Sequence, residues 1–148
     1  MESKRQIICV IDGQGGGIGA AIIKKLKERF KEINEIIALG TNAIATAQML
    51  KAKANKGASG SNAIVQTVKN ADFIIGPIGI ILPHAMMGEL TPLMAEAISL
   101  SKAKKILLPL TQENIELVGA ATLPLPQLID ELLNKGSLNK LLQNEKFI

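Results

Sequence analysis

Ile7-Ile8-Cys9-Val10-Ile11-Asp12-Gly13-Gln14-Gly15-Gly16-Gly17-Ile18-Gly19 is the stretch that decides how this chain folds. Its first five residues are all apolar, the mark of a strand buried on both faces in a parallel sheet. Ile18, Ile22, Leu26 and Phe30 then recur every four residues, with charges between them. That spacing predicts an amphipathic helix whose stripe faces the sheet. Between strand and helix, five glycines fall within seven positions. Glycine opens backbone angles closed to other residues. It also lets an anion reach main-chain N–H groups without meeting a Cβ atom. A helix beginning near Gly17 would aim its unpaired N–H groups and positive dipole end at that anion. Residues 7 to 31 therefore predict a strand, turn and helix that seat a phosphate-bearing ligand.

The spacing within the loop narrows the expectation. Gly13-x-Gly15 opens the common dinucleotide fingerprint, but Ile18 stands where its third glycine belongs. Read as Gly13-x-x-x-Gly17-x-Gly19, the loop resembles that of short-chain dehydrogenases. The residues expected to touch the ligand are Gly13, Gln14, Gly15, Gly16, Gly17, Ile18 and Gly19. NAD(P) or another nucleotide is the expected cofactor class. Two features argue against an ordinary hydride-transfer enzyme. The second strand ends Ala38-Leu39-Gly40-Thr41-Asn42, without the acid that usually holds the adenosine ribose, and Glu35 lies at the wrong end of that strand. The chain also has no Tyr, which excludes the Tyr-x-x-x-Lys chemistry of short-chain dehydrogenases. Gly40, Thr41 and Asn42 remain candidates for contacts to a ribose or base.

The rest of the chain alternates strands and helices. Glu35 to Leu39 predicts the second strand, and Thr41 or Asn42 caps a helix to about Lys53. Asn55 to Ser61, rich in Gly and Ser, reads as a loop. A short helix follows, from Ser61 or Asn62 to about Asn70. Phe73-Ile74-Ile75 is the third strand and Lys104 to Leu108 the fourth, with Ile115 to Val118 a candidate fifth. Thr91-Pro92 starts a helix well, with a capping hydroxyl followed by a residue that needs no N–H there. Leu128, Ile129, Leu132 and Leu133 mark the last helix, ended near Gly136. The expected fold is a single three-layer α/β, Rossmann-like domain over residues 1–136, on a mostly parallel sheet of four to five strands. Residues 137–148 form a tail with Leu138, Leu141 and Leu142 at helical spacing. Such sheets bind ligands just beyond the carboxyl ends of their strands.

Strand three runs into Gly76-Pro77-Ile78-Gly79, and the next clear helix starts only at Thr91. Connections that long are usually functional. This one carries Ile78, Ile80, Ile81, Leu82, Met86 and Met87, more apolar bulk than a solvated loop. It reads as a ligand lid or, preferably, as a contact between subunits, with Gly76 to Gly79 lining the ligand crevice. His84, the chain's one histidine, lies here with Glu89 after it. It is a candidate general base or a loop residue making one structural hydrogen bond. Asp12 is the other candidate reactive group. It could stiffen the turn by accepting from loop amides, or hold Mg²⁺ beside a phosphate.

Composition removes other classes. The 148 residues are 47% apolar and 20% charged, enough for a real core, which must be aliphatic because Trp and Tyr are absent and there are three Phe. The formal charge of +4 is spread over helix faces such as Lys24 to Lys31, with no basic stripe for nucleic acid. Cys9 is the one cysteine, which excludes an internal disulfide. Without a zinc ligand set, no metal site is expected. The Phe73 to Leu82 stretch is too short and too broken by Gly and Pro to span a bilayer. A cytoplasmic protein with no membrane partner is expected.

Four segments in order, Val10 to Gly19, Ala38 to Thr46, Ile75 to Ile80 and Lys105 to Leu110, resemble a family of short bacterial proteins of unknown function. The resemblance runs from about residue 7 to 134. It implies a cytoplasmic Rossmann-like protein and carries no known reaction. Three functions stay open: a nucleotide-binding homo-oligomer, an enzyme acting on a phosphorylated metabolite through Asp12 or His84, and an interaction module whose glycine loop is only a turn.

Overall fold

The computed structural model describes residues 5–32, 34–111 and 113–138. Its centre is β1 (Ile7–Asp12), flanked by β2 (Glu35–Gly40) on one side and β4 (Phe73–Pro77) on the other. β3 (Lys56–Ser59) lies outside β2, and β5 (Lys104–Leu108) outside β4. The order is β3-β2-β1-β4-β5, and all four pairings are parallel. The chain therefore leaves β1 toward one edge, returns, and builds toward the other. The switch point between β1 and β4 opens a crevice at the carboxyl ends of those strands.

Strand alternation divides the core. Ile8 and Val10 of β1 point to one face, Cys9 and Ile11 to the other. The first face is covered by α1 (Gly17–Phe30), α2 (Ala43–Lys51) and α5 (Leu125–Lys135), through Ile22, Leu26, Met49, Ile129 and Leu132. The second is covered by α3 (Ser61–Thr67) and α4 (Pro92–Leu100), through Ile64, Met94 and Ile98. Full burial of each Ile or Leu stabilises by roughly 1.5–3 kcal/mol. Cys9 is wholly inside, and burial, then the Asp72 and Glu35 carboxylates, push its thiol up to about 12. It is a small core hydrophobe rather than a nucleophile.

The capping expectations hold in detail. Asn42, rather than Thr41, accepts from the Ala45 N–H at 2.8 Å to start α2. Thr91 accepts from the Met94 N–H at 3.1 Å, ahead of Pro92 at the start of α4.

Three expectations are corrected. Asn55 to Ser61 is not simply a loop, because Lys56–Ser59 pairs with β2 as an edge strand. Its composition hides it. Gly57 is needed because a Cβ there would come within 2.9 Å of Thr46 Cγ2 on α2. The Ile115 to Val118 run is not a strand, and Val118 is 97% exposed. The apolar bulk after β4 is mostly spent within the chain. Ile78–Ile81 forms a 3-10 turn, and Ile80, Ala85 and Leu90 join the second core, with Ile81, Leu82 and Met86 packed on it. Met87 alone of the segment's large apolar side chains is strongly exposed, so the segment is not itself a broad subunit contact. Leu138 is buried in the first core, so the tail's first leucine packs back on the domain. Leu141 and Leu142 lie outside the described residues.

Candidate functional site

The glycine loop wraps around its own carboxylate. Asp12, the last residue of β1, is 4% exposed. Its Oδ1 accepts from the Gly13 N–H at 2.8 Å and its Oδ2 from the Gly19 N–H at 2.7 Å. Burial raises its pKa. The amides of Gly19, Gly13 and Ile18 oppose that rise, and the Glu89 carboxylate adds to it. Asp12 thus takes N–H groups from the first turn of α1 that an external anion would otherwise use. The turn itself is closed by Gly16 N–H donating to Gly13 O at 2.9 Å.

The loop glycines fall into two groups. Gly16 sits at φ 75°, and a Cβ there would be 2.7 Å from the backbone of Ala45. A Cβ on Gly19 would be 2.5 Å from the Met49 sulfur. On Gly13 it would be 2.5 Å from Thr41 Oγ1 and 2.6 Å from the Met86 sulfur. At Gly16 the collision is with backbone, so glycine is required there; at Gly13 and Gly19 a side chain would have to push neighbouring side chains aside. Gly15 and Gly17 differ: a Cβ there meets nothing within 4 Å, and neither has positive φ. Among the described residues, nothing accepts from their N–H groups. Two amides at the positive end of a 14-residue helix are therefore open to an incoming group.

On the β4 side of the loop lies a cleft of about 620 Å³, lined by Asp12, Gln14, Ile18, Pro77, Gly79 and His84 among others. Gly76 sits where β4 comes against the Ile11 carbonyl, leaving no room for a side chain. Ile78 is half-buried in the 3-10 turn and does not line the cleft. Gly40, Thr41 and Asn42 lie apart from it, on the β2 side of the loop. The sequence candidates therefore form two subsites that meet at the glycine loop. His84 borders the cleft in a left-handed conformation, φ 70°, with its N–H donating to Leu90 O at 2.7 Å. No hydrogen bond joins it to Asp12 among the described residues. Met86, Met87 and Gly88 share the left-handed region, at φ 59°, 57° and 90°. A non-glycine residue held there costs of order 1–3 kcal/mol, which marks a segment held in place by its surroundings. Among the described residues, no three His, Cys, Asp or Glu side chains converge as metal ligands.

Glu89, which the sequence offers only as a neighbour of His84 with no role of its own, joins the two sides of the site. Its Oε1 accepts from the Thr41 hydroxyl at 2.6 Å, the Asn42 side-chain amide at 2.8 Å and the Gln14 N–H at 2.9 Å. It ties the segment after β4 to the tip of β2 and to the glycine loop. Spacing could not reveal it, because the pattern for a ribose-binding acid looks at the end of the second strand. The one signal available was the lack of an acid at Gly40-Thr41-Asn42, which left a place for one from elsewhere.

No helix among the described residues is long and apolar enough to cross a membrane. No curated protein matches the chain significantly. Among solved structures it is similar to a dodecameric FMN-dependent UbiX-like decarboxylase from Escherichia coli O157:H7. That similarity has 14% identity, a TM-score of 0.41, and coverage of 92% of this chain and 93% of that one. Residues 7–140, from β1 past α5, match the family described as a domain of unknown function, DUF3842, and the chain belongs to that family.

Proposed function

We propose that the protein binds a phosphate-bearing nucleotide or dinucleotide, NAD(P) or a relative, with a phosphate on the Gly15 and Gly17 N–H groups. One observation carries the reading: glycine stands at both positions although nothing among the described residues requires it or accepts from its amide. A ligand's close approach supplies the missing reason. The seat is narrow, because Asp12 already holds the Gly13 and Gly19 amides. Its buried carboxylate disfavours a bare phosphate pushed deeper than the loop rim. Asp12 is accordingly assigned to stiffening the turn. The cleft beside it is large enough for the distal half of a dinucleotide.

The test is a thermal-shift panel of NAD, NADP, FAD, FMN, ADP and S-adenosylmethionine. A ligand at a hundred times its Kd stabilises by about 2.7 kcal/mol, a shift of several degrees for a chain of this size. No shift with any of them at millimolar concentration overturns the reading.

A second reading, an enzyme acting on a phosphorylated metabolite, is favoured by His84 at the cleft wall. It requires that His84→Ala abolish turnover of such a metabolite while leaving the melting temperature unchanged. Self-association is part of the first reading. Leu93 and Leu100 are 58% and 76% exposed on one side of α4, more apolar surface than a monomer's helix needs. Light scattering that returns a monomer mass at high protein concentration removes that part.

A further inference from the structure

Dinucleotide-binding folds read the ribose with an acid at the tip of the second strand, and β2 here ends without one. Glu89 fills that place from a different element. Its Oε1 is fixed by Thr41 and Asn42 from the tip of β2 and by the Gln14 N–H of the glycine loop. Gly13 makes the arrangement possible, since a Cβ there would lie 2.5 Å from Thr41 Oγ1 and 3.2 Å from Glu89 Oε1. Oε2 accepts from none of the described residues and is not buried. One oxygen is thus anchored by three donors, and the other is left to accept from a ligand at the loop's edge. Burial alone would raise the pKa of this carboxyl. The bonds from Thr41, Gln14 and Asn42 more than offset that and hold it below the ordinary range, so it is a full anion at neutral pH.

We propose that Glu89 is the ribose-reading residue of the site. It accepts the 2′-hydroxyl of an unmodified ribonucleotide and turns away a ribose that is deoxygenated or phosphorylated at that position. This deepens the nucleotide reading above and rests on it. A hydroxyl donating to a carboxylate is a charge-assisted bond, among the stronger neutral-to-charged contacts available. A 2′-phosphate would instead bring like charge within a few ångströms of Oε2. No described Lys or Arg side chain bonds to Glu89, Thr41 or Asn42 to compensate such a phosphate. The ligand class is therefore NAD-like or ADP-like rather than NADP-like.

Calorimetric titration of the full chain with ADP, 2′-deoxy-ADP and adenosine 2′,5′-bisphosphate tests this, on wild type and Glu89→Gln. Gln keeps an amide oxygen for the same three donors but loses the charge. Wild type is expected to bind ADP about tenfold tighter than either analogue. Glu89→Gln is expected to bring both ratios to about threefold or less. Equal wild-type affinity for ADP and 2′-deoxy-ADP overturns the role of Glu89 and leaves the nucleotide reading intact. So does a uniform gain for all three ligands in Glu89→Gln, which would make the carboxylate a competitor for the seat. Failure of all three to bind wild type overturns both.

Discussion

Gly16 and its neighbours Gly15 and Gly17 stand in one turn, and a side chain would meet opposite fates at them. At Gly16 it would strike the backbone of α2 from a left-handed conformation. At Gly15 or Gly17 it would enter open space. A run of glycines in sequence thus mixes two demands. One comes from the protein's own packing. The other is left over once packing is satisfied, and it falls on the two positions with open amides, in a loop whose Asp12, Gly13, Gln14 and Ile18 line a large cleft. Glycine-rich loops are best read by asking, position by position, what a Cβ would hit.

The comparison can be broken by substitution. Gly16→Ala should show the largest effect, about 3 kcal/mol or more in urea unfolding, because strain and collision add. A loss under about 1 kcal/mol would mean the turn can relax. Asp12→Asn should cost about 1–3 kcal/mol, since an amide oxygen cannot serve both the Gly13 and Gly19 amides. The pKa of Asp12 is raised in the fold, so its contribution is fully present below its ordinary 3.8 and is lost as pH rises through the folded value. The gap to Asp12→Asn should therefore widen on acidification. Gly15→Ala and Gly17→Ala should change stability by no more than about 0.5 kcal/mol, because no collision opposes the stiffer unfolded chain. Nucleotide affinity should nevertheless fall about tenfold or more, read by titration calorimetry. A stability loss at Gly15 or Gly17 as large as at Gly16 would erase the distinction.

The smallest effect belongs to Glu89. Its pKa is lowered in the fold, so the stability it adds is present above its ordinary 4.5 and is lost as pH falls through the lower folded value. The difference between wild type and Glu89→Gln should stay constant from neutrality to about that pH and shrink below it. A difference that grows on acidification would reverse the assigned sign.

Much of this was legible in the residues. The apolar run of β1, the four-residue period of α1 and the caps at Asn42 and Thr91 are local signals, and local chemistry decides them. β3 was not legible, because Lys56-Gly57-Ala58-Ser59 has no β-branched residue and owes its pairing to the neighbouring strand and helix. Ile115 to Val118 erred the other way, with strand-forming residues and no partner strand to pair. The site followed the same division. The loop between β1 and α1 is continuous in sequence and could be read. Glu89 meets Thr41 across 48 residues, a contact created only when the chain crosses back from β3 at one edge to lay β4 beside β1.

The central claim is that Gly15 and Gly17 offer their amides to a phosphate. The most direct test follows backbone amide resonances of the ¹⁵N-labelled protein during titration with ADP to millimolar concentration. The Gly15 and Gly17 amides should move most. Gly16 and Gly19, already bonded to Gly13 O and Asp12, should move less. Unchanged Gly15 and Gly17 resonances at saturation would contradict it.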